Sequence, residues 1–286
     1  MVVLMGKFSR LTNILSIASL IILPNFFIIS LIFFVLLKCG HCFNPKLVNV
    51  SISDRNINFG WHPAGATWYG PPHGAGTDGG ACGYKDAVER APFSGMISAG
   101  GPSIYQSGQG CGVCYQVKCT GNGACSGNIV TITITDECQG CTSEAVHFDL
   151  SGAAFGALAK PGLDDQLRNA GVLQVRYRMV KCNYPGVTVA VSVDPGSNPY
   201  YFAATIEYED GTGIAKVELR AQSSGWINMF ESWGATWALN AGYVLRAPLS
   251  LRLTEKGSGN TLVLNDVIPY GWQVGQTYRS HVNFNS

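Results

Sequence analysis

The sequence predicts an all-β protein with two domains, and three observations carry this prediction. Only 13% of the 286 residues are charged, against a usual value of roughly 25%, while 35 residues are glycine, about 12% against the usual ~7%. Short runs in which apolar and polar residues alternate recur along the chain, separated by Gly-rich turns. Cysteines are frequent between residues 82 and 182 and absent from 183–286. Low charge and abundant turn formers exclude coiled coils, helical bundles and acidic disorder, and 47% hydrophobic residues suffice for packed cores.

The first 42 residues are expected to direct the chain out of the cytoplasm. Lys7 and Arg10 precede an apolar run over residues 11–37, which Pro24-Asn25 interrupts. A basic start, an apolar stretch and small or polar residues near Cys42 are typical of a secretory signal, which contacts the membrane only transiently. The alternative is a retained signal anchor, since a run of 27 residues is long enough to span a bilayer. The Pro24-Asn25 interruption favours cleavage.

Residues 43–286 are therefore expected outside the cytoplasm, with 43–60 as an N-terminal extension. Asn49 begins an Asn-Val-Ser sequon in this extension, which makes it a candidate glycosylation site. Three of the 19 basic residues lie in the first 42 residues, so the remainder carries 16 basic and 18 acidic side chains. Such a chain offers no basic surface to nucleic acid, and that class of partner is excluded.

Eight cysteines remain after the secretory segment, and an even number in a secreted chain predicts four disulfides. Cys111-x-x-Cys114 and Cys138-x-x-Cys141 have a spacing that also occurs in zinc sites with four thiolates, so a zinc centre is the alternative. The compartment and the lack of a histidine at ligand spacing favour disulfides, and no metal or other cofactor is expected. We predict a disulfide-stapled domain at 61–182, a linker at 183–186 and a second domain at 187–286 held by its core alone.

The first domain is predicted to be a small closed β-barrel and the second a β-sandwich. In the first, two runs alternate with period two, and Ser151 is a plausible N-cap for one short helix that ends before Pro161-Gly162. In the second, strands follow one another at the spacing of a sandwich, with a Gly-rich hairpin between two of them. The predicted strands are 129–135, 172–179, 187–193, 200–208, 214–220, 249–253, 261–266 and 278–284, and the hairpin lies at 257–260.

Candidate functional residues lie in two short motifs of the first domain. If the segment around Trp68 is extended, Thr67 and Tyr69 share one face and Trp68 occupies the other. By the same rule, His147 and Asp149 point in the same direction. These polar side chains are therefore candidates for one surface site.

Two carboxylates that flank a groove are what cleavage of a glycosidic bond requires. Asp136, at the end of the Ile/Thr strand, and Asp149 are the candidates. Taken separately, each has a simpler interpretation, because Asp149 could cap the helix that starts near Ser151 and Asp136 could close a turn.

Taken together, the motifs resemble those of the β-expansins, plant proteins that loosen cell walls. The matching motifs cover residues 58–286 in the family's order, and only the secretory segment and the extension lie outside them. In chain order they are Thr67-Trp-Tyr-Gly, Gly79-Gly-Ala-Cys-Gly, Gly110-Cys-Gly-Val-Cys-Tyr, Thr135-Asp-Glu-Cys-x-Gly-Cys, His147-Phe-Asp-Leu-Ser-Gly, Asn198-Pro-Tyr-Tyr, Ser232-Trp-Gly-Ala-Thr-Trp and Val267-Ile-Pro.

The resemblance implies a six-stranded double-psi β-barrel, like that of family 45 glycosyl hydrolases and barwin, followed by an immunoglobulin-like β-sandwich that binds polysaccharide. The two domains would form one open groove. The barrel residues that it implies for this groove are Thr67, Tyr69, Asp78, Asp136, His147 and Asp149. The aromatic residues that it implies for polysaccharide binding are Trp68, Tyr201, Trp233 and Trp237. It also implies the disulfides Cys82–Cys111, Cys114–Cys182 and Cys119–Cys125, with Cys138–Cys141 remaining as the fourth.

Local patterns support two of these aromatic residues. Tyr201 alternates with Tyr200 and Phe202, so it lies on the polar face of its strand, where a flat ring can stack on a sugar. Trp233 precedes Gly234 and is expected to be exposed. Trp237 fits either polysaccharide binding or the core.

The segment after Tyr69 argues against hydrolysis. The hydrolase relatives have an aspartate there that serves as catalytic base, whereas this chain has Gly70-Pro71-Pro72. Asp149 matches the acid, but an inverting mechanism needs both groups. We therefore expect a monomeric, secreted cell-wall protein that is not an enzyme. It would bind cellulose or xylan and weaken contacts between glycans without cutting them. The alternatives are a weak endoglucanase or xylanase and a barwin-like defence lectin.

Overall fold

The computed structural model describes residues 60–222 and 224–284. The predicted secretory segment, most of the extension and Asn49 lie outside these residues. Within them, no helix combines the length and apolar character needed to cross a membrane.

The first half of the described chain is a closed barrel of six strands, as predicted. Its strands are β1 (His62–Tyr69), β2 (Ile97–Gly100), β3 (Cys114–Cys119), β4 (Val130–Glu137), β5 (His147–Ser151) and β6 (Leu173–Val180). They close in the order β1-β5-β2-β4-β3-β6. The pairs β1–β5 and β2–β4 are parallel and the other four are antiparallel.

The described part of the barrel has three short α-helices, namely α1 (Pro102–Tyr105), α2 (Gly152–Gly156) and α3 (Asp164–Arg168), and two 3-10 helices at Lys85–Glu89 and Gln106–Gly108. Ser151 is the N-cap of α2, as predicted, because its hydroxyl accepts a hydrogen bond from the Ala154 amide at 3.0 Å. The helix is shorter than the apolar run suggested, and α3 follows it without a matching sequence prediction.

Alternation along β1 and β5 separates the barrel interior from its outer face. Ala66, Phe148 and Leu150 point inward and are fully buried. Their neighbours Thr67 and Asp149 therefore point outward. This arrangement leaves a polar outer surface over an apolar core.

Four disulfides cross-link the barrel, and they join the pairs that the resemblance implies. The pairs are Cys82–Cys111, Cys114–Cys182, Cys119–Cys125 and Cys138–Cys141. They use all eight cysteines of the described residues, so the zinc alternative has no thiolate left to bind a metal.

The second half of the described chain is a sandwich of two antiparallel sheets, which confirms the predicted fold class. Its strands are β7 (Ala190–Val193), β8 (Tyr201–Glu207), β9 (Ile214–Arg220), β10 (Ile227–Asn228), β11 (Phe230–Trp233), β12 (Thr236–Asn240), β13 (Leu249–Glu255), β14 (Thr261–Ile268) and β15 (Thr277–Arg279). One sheet has the order β10-β9-β13-β14 and the other β11-β12-β8-β7-β15. The prediction of a strand over 278–284 is wrong beyond Arg279, where Ser280 instead bonds to the backbone of Val282.

The barrel and the sandwich also share apolar contacts. The Phe93 ring of the barrel lies 4.9 Å from the ring of Tyr208 and 6.0 Å from that of Tyr184, measured between centroids. The backbone amide of Ala235 donates to the Cys82 carbonyl at 3.0 Å. The turn between β11 and β12 is thereby fixed against the barrel.

Candidate functional site

Strand register places the principal polar candidates in one row across the outer face of the barrel. Thr67 of β1 pairs with Asp149 of β5, Asp149 pairs with Ala99 of β2, and Ala99 pairs with Asp136 of β4. Because neighbouring strands lie about 4.8 Å apart, the row extends roughly 14 Å from Thr67 to Asp136. Ala99 has the smallest side chain of the row, and the carboxylates of Asp149 and Asp136 flank it on either side.

A register shift in β4 is needed to place Asp136 in this row. Ile132 and Ile134 point into the barrel and are buried, so strict alternation would also turn residue 136 inward. The pairing instead moves from Ser98 opposite Ile134 to Ala99 opposite Asp136, which accommodates one extra residue in β4. This irregularity turns Asp136 towards the outer face.

Asp149 is held by its neighbour on β1. The Thr67 hydroxyl and Asp149 Oδ1 are hydrogen bonded at 2.5 Å. Burial raises the pKa of Asp149 above its ordinary value, and the charge of Asp136 acts in the same direction, whereas the bond from Thr67 and the proximity of His147 lower it. Because Ser151 caps the helix, the helix-capping interpretation of Asp149 is wrong.

Glu144, which the sequence did not indicate, contacts the row through His147. His147 is almost fully buried, with Nε2 2.9 Å from Thr67 Oγ1 and Nδ1 2.8 Å from Glu144 Oε2. The other carboxylate oxygen of Glu144 accepts from Gln174 Nε2 at 2.8 Å. Gly65 lies beneath it, and a Cβ atom there would displace the Glu144 carboxylate, because it would lie 1.4 Å from Oε2. Glu144 lies in an irregular loop, where no periodicity could have indicated its position.

Asp136 combines a structural contact with a surface position. Its Oδ1 accepts from the backbone amides of Ala81 and Glu137, both at 2.7 Å. The turn-closing interpretation is therefore correct for this oxygen. Asp78, from the preceding loop, is exposed, and no register pairing links it to the row.

Tyr69 lies two residues beyond Thr67 on β1 and is largely covered. The loop after β1 folds back over it, so that a Cβ atom on Gly76 would lie 2.4 Å from the Tyr69 ring. Burial raises the pKa of Tyr69 well above its ordinary value, and the charges of Asp136 and Asp149 raise it further. The phenol is therefore uncharged, and it borders the row close to the two carboxylates.

The segment in the position of the hydrolase base packs against α2. Gly70 has a positive φ of 75°, a conformation that suits glycine. A Cβ atom on Gly152, the first residue of α2, would lie 2.1 Å from the Pro71 carbonyl oxygen. Gly70-Pro71-Pro72 thus closes the end of β1 without supplying a carboxylate.

Trp68, a predicted polysaccharide-binding residue, does not join the row. It takes the opposite face of β1 from Thr67 and packs against the barrel core. Its indole nitrogen donates to the Arg168 carbonyl at 3.2 Å. Alternation along the strand is the physical reason for this placement.

On the sandwich, the outer face of the five-stranded sheet carries exposed aromatic side chains. Trp233 is 48% exposed, and Tyr201 lies outside the core, on the opposite side of β8 from fully buried Phe202. Trp237 is only 8% exposed and packs in the sandwich core. Of the two interpretations that the sequence left open for Trp237, its burial favours the core.

Register adds Phe230 to this face. Phe230 pairs with Ala238, and Ala238 pairs with Ala203, which lies two residues after Tyr201 on β8. Phe230, Ala238, Ala203 and Tyr201 consequently share a face, with the two alanines between the rings. Phe230 is 53% exposed. The sequence offered a weak signal for it, since Phe230 precedes Trp233 by three residues.

Trp233 brings this aromatic face next to the barrel. A Cβ atom on Gly83 would lie 2.7 Å from the outer carbon of the Trp233 ring, so the ring covers the Gly83 backbone. Gly83 follows Ala81, whose amide is bound by Asp136. The polar row and the aromatic face are therefore neighbours, joined through residues 81–83.

Comparisons with known proteins agree with this architecture. The family model described as Expansin C-terminal domain matches residues 189–269, and the one described as Lytic transglycolase matches residues 97–177. Putative expansin-B2 of Arabidopsis thaliana is 55% identical over 252 residues, which cover 87% of this chain and 92% of that protein. Expansin-B11 of Oryza sativa subsp. japonica is 55% identical over 234 residues, 80% of each chain.

Two solved structures have the same fold. The apo form of the Clavibacter michiganensis expansin is 24% identical, with a TM-score of 0.61 over 79% of this chain and 98% of that chain. An Asp-to-Asn variant of that expansin in complex with cellohexaose gives the same values.

Proposed function

This chain belongs to the β-expansin family, and from that premise we propose that it loosens plant cell walls by binding polysaccharide along its polar row and aromatic face. The protein acts outside the cell, in the wall. Expansin identity indicates a protein that is not an enzyme, and loosening then consists of weakening non-covalent contacts between glycans.

One observation carries this proposal, namely that the polar row and the aromatic face are adjacent. Flat rings such as Trp233 and Tyr201 stack on the C–H faces of sugars, and Asp149 and Asp136 accept hydrogen bonds from sugar hydroxyls. A glycan that lies on both surfaces exchanges its contacts with neighbouring glycans for contacts with the protein. The cellohexaose complex of the bacterial expansin supports a cellulose-like ligand for this chain.

The absence of cleavage rests on the segment that replaces the hydrolase base. Loss of general-base assistance costs about 10²–10⁴-fold in rate. Gly70-Pro71-Pro72 provides no titratable group and packs against Gly152. Asp149, whose pKa is raised by burial, is then an acid without a base. Its role is then to hydrogen bond to the glycan and to weaken contacts between glycans without cutting them.

A weak endoglucanase is the second candidate, and one observation favours it. Asp136 and Asp149 both pair with Ala99, which separates their backbones by two strand spacings, roughly 10 Å. Inverting glycosidases hold their carboxyl groups about 6.5–9.5 Å apart. The two backbone amides on Asp136 Oδ1 argue against a catalytic base, because they hold this oxygen in a structural contact.

The test measures extension and cleavage in the same sample. Heat-inactivated cell wall is clamped under constant load, purified mature protein is added, and both creep and released reducing sugar are recorded. We expect creep without a rise in reducing sugar. Sugar release that accompanies creep and disappears with Asp149→Asn would instead support the endoglucanase. Cellulose-only and xylan-bearing walls, compared in parallel, identify the preferred polymer.

A further inference from the structure

A chain of hydrogen bonds leads from the surface of the row into the barrel. Asp149 is bound by Thr67, Thr67 by His147, and His147 by Glu144, with distances of 2.5, 2.9 and 2.8 Å. Gln174 of β6 anchors the far end through the second oxygen of Glu144. None of the described residues hydrogen bonds to the second oxygen of Asp149. That oxygen is therefore available to a ligand.

The three bonds of this chain impose a proton count. Ionised Glu144 only accepts, so His147 Nδ1 must donate to it. If the imidazole is neutral, its Nε2 accepts the single proton of the Thr67 hydroxyl, and Asp149 must then be protonated and donate to Thr67. If the imidazole is cationic, its Nε2–H donates to Thr67, and Thr67 donates to ionised Asp149.

Both arrangements hold one proton more than ionised Glu144, neutral His147 and ionised Asp149. Without that proton, one of the three bonds is lost, because the hydroxyl of Thr67 has only one hydrogen to give. The structure has all three bonds at short distance. All three bonds can therefore form together only when the unit holds the additional proton.

We propose that Glu144, His147, Thr67 and Asp149 act as one unit that binds a single additional proton, and that Glu144 is the positioning residue that fixes Asp149 for contact with the glycan. The inference rests on the proposed function for the role of Asp149. Glu144 itself does not contact the glycan. It acts by determining which atoms of His147 and Thr67 donate, and hence how the carboxyl group of Asp149 is oriented.

The surroundings of the unit favour the additional proton. The other titratable groups that face Asp149 are Tyr69, further along β1, and Asp136, across Ala99 on β4. Tyr69 is neutral, and the negative charge of Asp136 disfavours a second ionised carboxylate nearby. Burial raises the pKa of Asp149 in the same direction. The low exposure of His147 keeps water from substituting for the bond to Thr67.

The test is an NMR titration of the full mature protein, with the Asp149 carboxyl carbon and the His147 ring nitrogens observed between about pH 4 and pH 9. We expect both signals to change with one common midpoint. Glu144→Gln keeps the size of the side chain but removes the charge that favours the proton, so the common midpoint falls. The matched control is Glu89→Gln, an exposed carboxylate of the same barrel, which leaves the midpoint unchanged.

A second pair of variants keeps the proposal testable if Glu144→Gln does not fold. Thr67→Val removes the hydroxyl in the middle of the hydrogen-bond chain and keeps the size of the side chain. The Asp149 and His147 signals should then have separate midpoints. Thr67→Ser retains the hydroxyl and should retain the common midpoint. Independent midpoints in the parent protein, or a Glu144→Gln titration identical to that of Glu89→Gln, would overturn the proposal.

Wall extension supplies the functional readout. At equal amounts of bound protein, Glu144→Gln is expected to slow creep roughly tenfold, since bonds to charged groups have contributions of that order. Glu89→Gln should leave creep unchanged. Undiminished creep in Glu144→Gln would contradict its positioning role. Failure of the parent protein to extend walls would contradict the proposed function instead, while the titration would still decide on the shared proton.

Discussion

The barrel and the sandwich differ in the contacts that they offer a glycan and in how their folds are stabilised. The barrel positions hydrogen-bonding groups such as Thr67, Asp149 and Asp136, which act only at defined distances, and four disulfides cross-link it. The sandwich presents flat rings, and its 183–286 segment has no cysteine. Ring stacking tolerates small displacements, whereas hydrogen bonds weaken steeply with misalignment. The comparison indicates that covalent cross-links are concentrated where geometry must be held most closely.

The largest expected effect concerns the disulfide that closes the longest loop. Cys114–Cys182 spans a sequence separation of 68 residues, for which the loop-entropy estimate is about 4 kcal/mol. The double variant Cys114→Ser/Cys182→Ser should lower the melting temperature of the barrel much more than that of the sandwich. Differential scanning calorimetry, combined with tryptophan fluorescence, resolves the two transitions. An equal shift of both would show that the two units unfold as one and that the contrast in cross-linking has no consequence for stability.

The next prediction concerns Glu209, a carboxyl group buried where the two units meet. Burial raises its pKa to about 8 from the ordinary 4.5, and Asp210 acts in the same direction, whereas a backbone hydrogen bond and Lys256 lower it. The folded state thus holds a proton that the unfolded state releases. The resulting stabilisation is complete below about pH 4.5 and is lost as the pH rises through about 8.

We expect the free energy of unfolding to fall by on the order of 3 kcal/mol between about pH 5 and pH 9. Glu209→Gln, which is neutral throughout, should remove most of this slope. Urea titrations at the two pH values measure it. A slope that is unchanged in Glu209→Gln would assign the pH dependence to other groups and would remove Glu209 as a link between the two units.

The sequence predicted most of this architecture, and the failures have identifiable causes. The spacing of the sandwich strands predicted β9 at its observed bounds of 214–220, and period-two alternation placed Tyr201 and Phe202 on opposite faces. The same alternation placed Trp68 and Thr67 on opposite faces, and Trp68 packs against the barrel core. Trp237 stayed undecided because pattern alone does not show whether a strand has a covering layer. The structure resolves it as a core residue.

The polar row could be predicted only in part. Thr67 and Asp149 were identified from motifs, but their pairing depends on the parallel register of β1 and β5, which local patterns do not encode. Asp136 reaches the row through a register shift. Glu144 was missed because loop geometry, rather than periodicity, brings it to His147.

Trp233 on the aromatic face and Trp237 in the sandwich core lie four residues apart. Substitutions at these two positions distinguish an effect on binding from an effect on folding. Tyr201→Ala/Trp233→Ala should weaken binding to insoluble wall polysaccharide about tenfold or more, since each exposed ring contributes about 0.5–1.5 kcal/mol beyond area burial. The melting temperature should change little. Trp237→Ala is the comparator and should instead destabilise the sandwich by about 3–5 kcal/mol. Unchanged binding by the double variant would show that the barrel, and not the aromatic face, recognises the polysaccharide.

The smallest expected effect is that of Phe230, the ring that register adds to this face. Phe230→Ala should weaken binding only severalfold, in line with one exposed aromatic contact. Tyr270→Ala is the matched control, because Tyr270 is 67% exposed just beyond the end of β14 in the other sheet. Pull-down isotherms on the same wall material measure both. Equal losses in the two variants would mean that the rings bind without regard to the face they occupy.

The central claim is that the polar row of the barrel causes loosening, while the aromatic face of the sandwich keeps the protein bound to the wall. The most direct test of this division is creep measured at equal amounts of wall-bound protein. Asp149→Asn should bind like the parent and yet lose creep by at least about a hundredfold, because a misoriented contact group is costly even when binding is intact. Tyr201→Ala/Trp233→Ala should regain the creep of the parent once its concentration is raised to match the bound amount. If Asp149→Asn extends walls normally at equal occupancy, or if the aromatic double variant stays inactive there, the division of labour between barrel and sandwich is contradicted.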